Sequence, residues 1–358
     1  VTGRIAYRAF AKINLGLHVG AMRPDGFHEV RTVLQSVALC DLLEVHPSEE
    51  LSLTCSDPSL PAGEDNLVMR AARALQRAVS CERGARITLT KRIPSQAGLG
   101  GGSSDAAAAL VALARLWRIP FSCEDLVPVA AALGADVPFF LVGGTALGVS
   151  GGEEVYALPD APALHLVLAL PKGGMPTAEA YRRLDAGRRS AQVPTTGAMD
   201  RPHAEASGDG TSTPSPDVVP SIAGSRGARR IPPKNADRSP CGREVRLTPP
   251  GGPHRIASLV QALVEGRLSE KCLFNDFEAV NEEAGSENAS VRRALRATGA
   301  RTVIPAGSGA AWVGFFPDRT LAAEAQRKLV QRGVNAIHTG SITRRDYWEQ
   351  TVPTWVKE

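Results

Sequence analysis

The chain has 358 residues, enough for two domains, and its 43% hydrophobic and 22% charged residues are the balance of a folded globular protein. Its apolar runs are broken by Gly, Pro or charge well short of the ~20 residues a membrane span needs. The opening VTGRIAYRAFAKINLGL has no basic-then-apolar leader pattern, so a cytoplasmic protein without a membrane partner is expected. The net charge of +4 sits within residues 186–252, where ten Lys/Arg face six Asp/Glu; the other 31 of each cancel, which excludes a protein-wide basic face for nucleic acid.

Residues 4–19 read as a strand, rich in apolar and β-branched side chains, and a turn signal follows at RPDG. VRTVLQSVAL, LLEVHP and LSLTCS read as further strands. Residues 66–79 have apolar positions at helical spacing, with Asn66 as N-cap. ARITLTKRI alternates as a strand, SQAGLGGGSS follows, and DAAAALVALARLW is a helix of strong Ala/Leu propensity. A second helix covers about 123–134. Strands return at TALGVS, EEVYAL and ALHLVLAL, and PTAEAYRRL reads as a short helix with Pro in its first turn. Residues 186–252 hold nine Gly, ten Pro, seven Ser and five Thr with almost no aromatic residue, and are expected to be a disordered insertion. Helices are then predicted near 256–267, 290–298 and 319–332, and strands near 301–305, 310–316 and 335–341. Strands and helices mix without strict alternation, which predicts an α+β fold with antiparallel sheets. The six cysteines include no CxxC pair, so neither a zinc site nor a redox motif is indicated.

The strongest chemical signal is the run Pro94-Ser95-Gln96-Ala97-Gly98-Leu99-Gly100-Gly101-Gly102-Ser103-Ser104, between a strand and a helix. Four glycines let the backbone turn tightly and approach a ligand. Their N–H groups and the following helix's positive end can converge on a phosphate. The serines can add hydroxyl bonds, and one of them can approach Mg²⁺. The run lacks the GK[ST] of a Walker A loop and the acidic partner of a dinucleotide fingerprint. A flexible linker is the competing reading. Lys12 lies in an apolar strand, either at an edge or as a functional cation, and Asp136 in GADVPFFL is either a turn residue or a base. Together they suggest a pair that activates an acceptor hydroxyl. His28, just past Asp25-Gly26-Phe27, is either structural or ligand-binding. Gly307-Ser308-Gly309 forms a second small-residue loop before the strand AWVGFF.

These runs together resemble the GHMP kinase superfamily. Its phosphate-loop pattern, Pro-x-x-x-Gly-Leu-Gly-x-Ser-Ser-Ala-Ala, appears from Pro94 to Ala107 with one extra Gly and with Asp105 before the alanines. Within the superfamily, AKINLGLHVGAMRPDGFHEV resembles the 4-diphosphocytidyl-2-C-methyl-D-erythritol kinases. The resemblance implies a two-domain α+β fold with its active site in the interdomain cleft. It implies domains at 1–160 and 161–348, the second interrupted at 186–252, with a tail from 349. It also implies phosphoryl transfer from ATP, with Mg²⁺, to the 2-hydroxyl of a small-molecule acceptor in isoprenoid precursor synthesis, by a monomer or homodimer. Matched motif by motif, Asp136 falls on the family's catalytic base and Lys12 on its partner. Asn14, Phe27, His28, Thr177 and Tyr181 fall on substrate-pocket positions, with cytosine stacked between Phe27 and Tyr181 and read by His28. Asn275, Asp276 and Glu278 match a family Asn-Asp-x-Glu run. The departures are the segment 186–252 and Ile304-Pro305-Ala306 before the third motif. The rival readings are a homoserine or mevalonate kinase of the same superfamily, or an inactive nucleotide-binding homologue.

Overall fold

The computed structural model describes residues 3–192, 252–282 and 287–351. Two strands dominate the first half. β1 (Ile5–Met22) and β2 (His28–Ser48) form one long antiparallel hairpin closed by the Arg23–Phe27 turn. VRTVLQSVAL and LLEVHP, expected as separate strands, are thus one. A register shift between Phe10 and Ala11 pushes Ala38 and Leu39 out of the ladder without ending the strand. β3 (Leu51–Cys55) and β4 (Gly84–Thr90) extend the sheet on one side, and β5 (Thr145–Val149) and β6 (Glu154–Ala157) join through β2.

Two helices cover this sheet. In α1 (Leu67–Val79) the Asn66 side chain accepts from the Val68 N–H, as the N-cap prediction requires. α2 (Gly101–Leu116) begins earlier than predicted, so Gly101–Ser104 are its first turn and not a loop. Its alanines 106–109, 112 and 114 are almost wholly buried, which lets it lie close against its neighbours. α3 (Cys123–Leu133) is closed by a Ser122–Asp125 capping box, and the four-residue α4 (Phe139–Val142) follows directly after Asp136.

The second half is built on a four-stranded antiparallel sheet, ordered β11-β7-β10-β9, from β7 (His165–Leu170), β9 (Thr302–Pro305), β10 (Trp312–Phe316) and β11 (Asn335–Gly340). α8 (Glu287–Arg296) and α9 (Arg319–Gln331) cover one face, burying Leu295, Ala322, Ala325 and Leu329 against Trp312 and Val167. The other face packs Leu166, Leu168, Val313 and Phe315 with Ile13, Leu15 and Val33 of the long hairpin and with Leu259 of α6 (Gly252–Val264). A shared apolar layer therefore joins the two sheets. The short β8 (Phe274–Asn275) runs parallel to β1 and is followed by α7 (Glu278–Glu282). The fold is α+β, as the sequence predicts.

α5 (Thr177–Gln192) outruns its predicted end and continues past residue 186, where the insertion was expected to begin. The Arg188 guanidinium explains this: it donates to the Val19 carbonyl at 2.6 Å and the Gly20 carbonyl at 3.2 Å, fastening the helix to the hairpin. The rest of the expected insertion, 193–251, lies outside the described residues. α10 (Arg344–Thr351), absent from the sequence reading, crosses the expected start of the tail at 349 and buries Tyr347, whose hydroxyl donates to the Phe140 carbonyl.

Candidate active site

Two loops meet over β1. The Lys12 N–H donates to the Leu99 carbonyl of the glycine-rich run, and the Asn14 N–H donates to the Ala306 carbonyl of the third-motif loop. The strand thus presents Lys12 between them. Within the first loop Gln96, Gly98 and Gly100 have φ of +55°, +79° and +70°, a region that glycine enters freely and glutamine does not. No side chain caps α2 at Gly100, so the N–H groups of its first turn are left for another partner.

The second loop fits the first backbone to backbone. A Cβ on Gly309 would stand 2.2 Å from the Gly98 nitrogen, and one on Gly307 would stand 2.5 Å from the Gly98 carbonyl oxygen and 3.0 Å from Lys12 Nζ. Only glycine fits at either position. Asn275 of β8, part of a recognised motif but given no role in the sequence, fixes this loop. Its Nδ2 donates to the carbonyls of Pro305 and Gly307, both at 3.0 Å, while its Oδ1 accepts from the Phe277 N–H.

Lys12 is almost completely buried, which excludes the solvent-facing edge lysine. Its Nζ donates to Asn14 Oδ1 at 2.8 Å and lies 3.5 Å from Asp136 Oδ2. Asn14 is oriented in turn: its Nδ2 donates to Thr32 Oγ1 at 2.6 Å, and that hydroxyl donates to the Gly16 carbonyl. The Asp136 side chain is 40% exposed, so this ion pair is buried on one side and open on the other.

A cleft of about 380 Å³ brings most of the predicted residues together. Lys12, Asp136, the run from Pro94 to Ser103, Thr177 and Ser308 all line it, with Asn66 and Leu67 at the start of α1. The Ser308 hydroxyl donates to Thr177 Oγ1 at 3.3 Å. Ser104 is turned away. It is buried, and its hydroxyl donates to the Phe10 carbonyl at 2.7 Å, tying α2 to β1. Lys91 and Asp105, unremarked as a pair in the sequence, also line the cleft. The Lys91 ammonium lies 2.6 Å from Asp105 Oδ2 and bonds the fully buried Asp41 as well. Burial pushes the Asp105 carboxyl up, and the Lys91 charge draws it back.

His28 and Tyr181 are brought together beside the cleft, with ring centroids 5.1 Å apart, and Tyr181 packs edge-on against Phe277. Burial first, and the Asp136 charge second, push the Tyr181 phenol up to about 12, which places the ring within the field of that carboxylate. His28 Nε2 is 2.9 Å from Asp185 Oδ1 of α5, a partner no sequence pattern indicated. Phe27 stands apart. It is 69% exposed at the tip of the hairpin and stacks on no ring among the described residues. Tyr181 faces His28.

The described residues hold no cluster of three or more His, Cys, Asp or Glu side chains able to bind a metal, and no helix long and apolar enough to cross a membrane. The family described as GHMP kinases N terminal domain matches residues 66–144, from the cap of α1 to the turn after α4. The chain is 51% identical over 181 residues to a 4-diphosphocytidyl-2-C-methyl-D-erythritol kinase of Pelotomaculum thermopropionicum, a match spanning 50% of this chain and 63% of that protein. It is 35% identical over 336 residues to the kinase of the same name from Salinibacter ruber, covering 92% of this chain and 95% of the other. A crystal structure of 4-(cytidine 5'-diphospho)-2C-methyl-D-erythritol kinase superimposes with a TM-score of 0.64 at 29% identity, covering 94% of this chain and 99% of that one.

Proposed function

The chain belongs to the 4-diphosphocytidyl-2-C-methyl-D-erythritol kinase family of the GHMP kinases, and from that premise we propose that it transfers the terminal phosphoryl group of ATP to the 2-hydroxyl of 4-diphosphocytidyl-2-C-methyl-D-erythritol. The observation that carries this reading is the Lys12–Asp136 pair in the same cleft as the glycine-rich loop.

ATP supplies the phosphoryl group, with Mg²⁺ to neutralise its phosphates. The residues present suit that pair. Free N–H groups at the head of α2 and the glycine backbone of both loops suit phosphate oxygens. Ser103 offers an oxygen donor of the kind a largely phosphate-held Mg²⁺ would take. In this reading Asp136 accepts the proton of the acceptor hydroxyl. The Lys12 ammonium, fixed by Asn14, holds that carboxylate in place and offsets charge developing on the attacking oxygen. Thr177, His28 and Tyr181 orient the acceptor, and Phe27 closes over the cytosine from the hairpin tip. The lack of base-specific chemistry in the glycine loop leaves cytidine selection to this second group of side chains.

A coupled ADP-release assay with three acceptors tests the assignment. ADP should appear with diphosphocytidyl methylerythritol and stay at background with mevalonate and homoserine. Turnover of either of the last two in its place would move the chain to another GHMP kinase, and no turnover of any would make it an inactive homologue.

A further inference from the structure

A second cavity, of about 510 Å³, wraps the outer edge of β11 and shares no lining residue with the cleft. Four cationic or ionisable bases reach it from four different elements: Arg92 after β4, His165 of β7, Arg319 at the head of α9, and His338 of β11. The ladder explains why the histidines meet. His165 pairs with Gly340 and Val167 with His338, so both histidines project from one face of the sheet. Val167 packs there against α9, which starts at Arg319. The β2 bulge brings Ala38 and Leu39 in from the other side, and Leu39 and Ile337 supply apolar wall.

No Asp or Glu lines this cavity, and among the described residues no carboxylate pairs with Arg92 or Arg319. The nearest acid in sequence, Asp318, is engaged as the α9 N-cap and accepts from the Leu321 N–H. His338 is pushed down by burial, and further by the charges of Arg319 and His165, which therefore lie near it. Four bases lining one cavity with no carboxylate among its walls are a site short of an anion. The volume is within the range of small-molecule pockets, about 300–1,000 Å³, and exceeds what a bare inorganic anion fills.

We propose that this cavity binds a phosphate-bearing ligand with an apolar portion, the phosphate held by Arg92, Arg319, His165 and His338 and the apolar part lying on Leu39 and Ile337. The site is independent of the kinase reading. Arg319 and His338 are the residues to vary, because Arg92 stands between Lys91 and Ile93 of the cleft. Glutamate at the first position of α9 also suits the helix dipole, so Arg319→Glu should fold.

Calorimetric titration of the full chain, with its cleft saturated by a non-hydrolysable ATP analogue, uses inorganic phosphate and n-hexyl phosphate as probes. Hexyl phosphate should bind at one further site, more tightly than inorganic phosphate. Arg319→Glu should weaken it at least tenfold and His338→Gln severalfold, with melting temperature and ADP release unchanged. Absence of a further site, equal affinity for the two probes, or wild-type binding by both variants would overturn the proposal.

Discussion

Asp136 stands between two environments, with Lys12 buried behind it and the open cleft in front. Replacing it by Asn keeps the shape and removes the proton acceptor, so Asp136→Asn should lower kcat by about two to four orders of magnitude while ATP affinity changes little. Single-turnover rates and nucleotide titration check both halves, and a variant keeping most of its kcat would remove Asp136 from the role of base. Gly307→Ala tests the loop contact. The added methyl would press on the Gly98 carbonyl and crowd Lys12 Nζ, and neither loop backbone can retreat without moving the other. Misplacement of that order is worth about 10²-fold in kcat/KM, and we expect a loss of that size with the fold retained by circular dichroism. At this scale the sequence is most legible where one residue type alone is tolerated. The glycines and the Lys12 anomaly could be read directly, because small size and a charge in an apolar strand are local properties. Asn275, Asp185 and Thr32 could not, since each acts on a partner far away in sequence.

The elements were largely legible from periodicity, and the misreadings have local causes. β2 runs through its bulge because β1, β4 and β5 pair with it along its length. α2 takes in Gly101 and Gly102 despite their poor propensity, because the following alanines and leucines bury the helix on nearly every side. Beneath that helix, Lys91 joins the end of β4 to α2 and to β2 through two carboxylates, with Asp41 fully buried and the Asp105 side chain 3% exposed. Asp41 also accepts from the Ile93 N–H, so the arrangement sets the segment that enters the glycine-rich loop. Lys91→Met keeps the length and leaves two buried carboxylates without a counter-ion. Breaking a buried pair this way costs about 3–5 kcal/mol. Urea unfolding should show that loss as a lower midpoint, and restoring stability with a second change, Asp105→Asn, would tie it to the stranded charge. A Lys91→Met protein as stable as the parent would mean that Asp41 and Asp105 reach solvent or another partner.

Across the whole molecule one apolar layer joins the two halves, and three tyrosines pack into separate apolar clusters outside it. Tyr7 lies under α1 and α2, Tyr347 sits between Phe10 and Trp348, and Tyr181 stands beside the cleft. From a usual value of 10.0, burial pushes the Tyr7 phenol up to about 12 against an opposing pull from Arg115, and Tyr181 reaches about 12 by burial and the Asp136 charge. Burial drives Tyr347 higher still, with the charge of Cys123 adding to it. A folded-state value above the unfolded one means that the unfolded chain gives up these protons first. The stability they contribute is therefore fully present below pH 10 and is lost as the pH rises from 10 through 12, at roughly 2–3 kcal/mol for each of Tyr7 and Tyr181. Alkaline titration followed together by absorbance of the phenolate and by circular dichroism should show these phenols silent while the fold persists. They should then ionise in one step with unfolding. Replacing Tyr181 by Phe removes one titrating group and should move that step to higher pH. If the three phenols ionise gradually near pH 10 with the helical signal intact, their rings are not held in these apolar clusters, and the packing around Tyr7 and Tyr347 is looser than their side-chain contacts require.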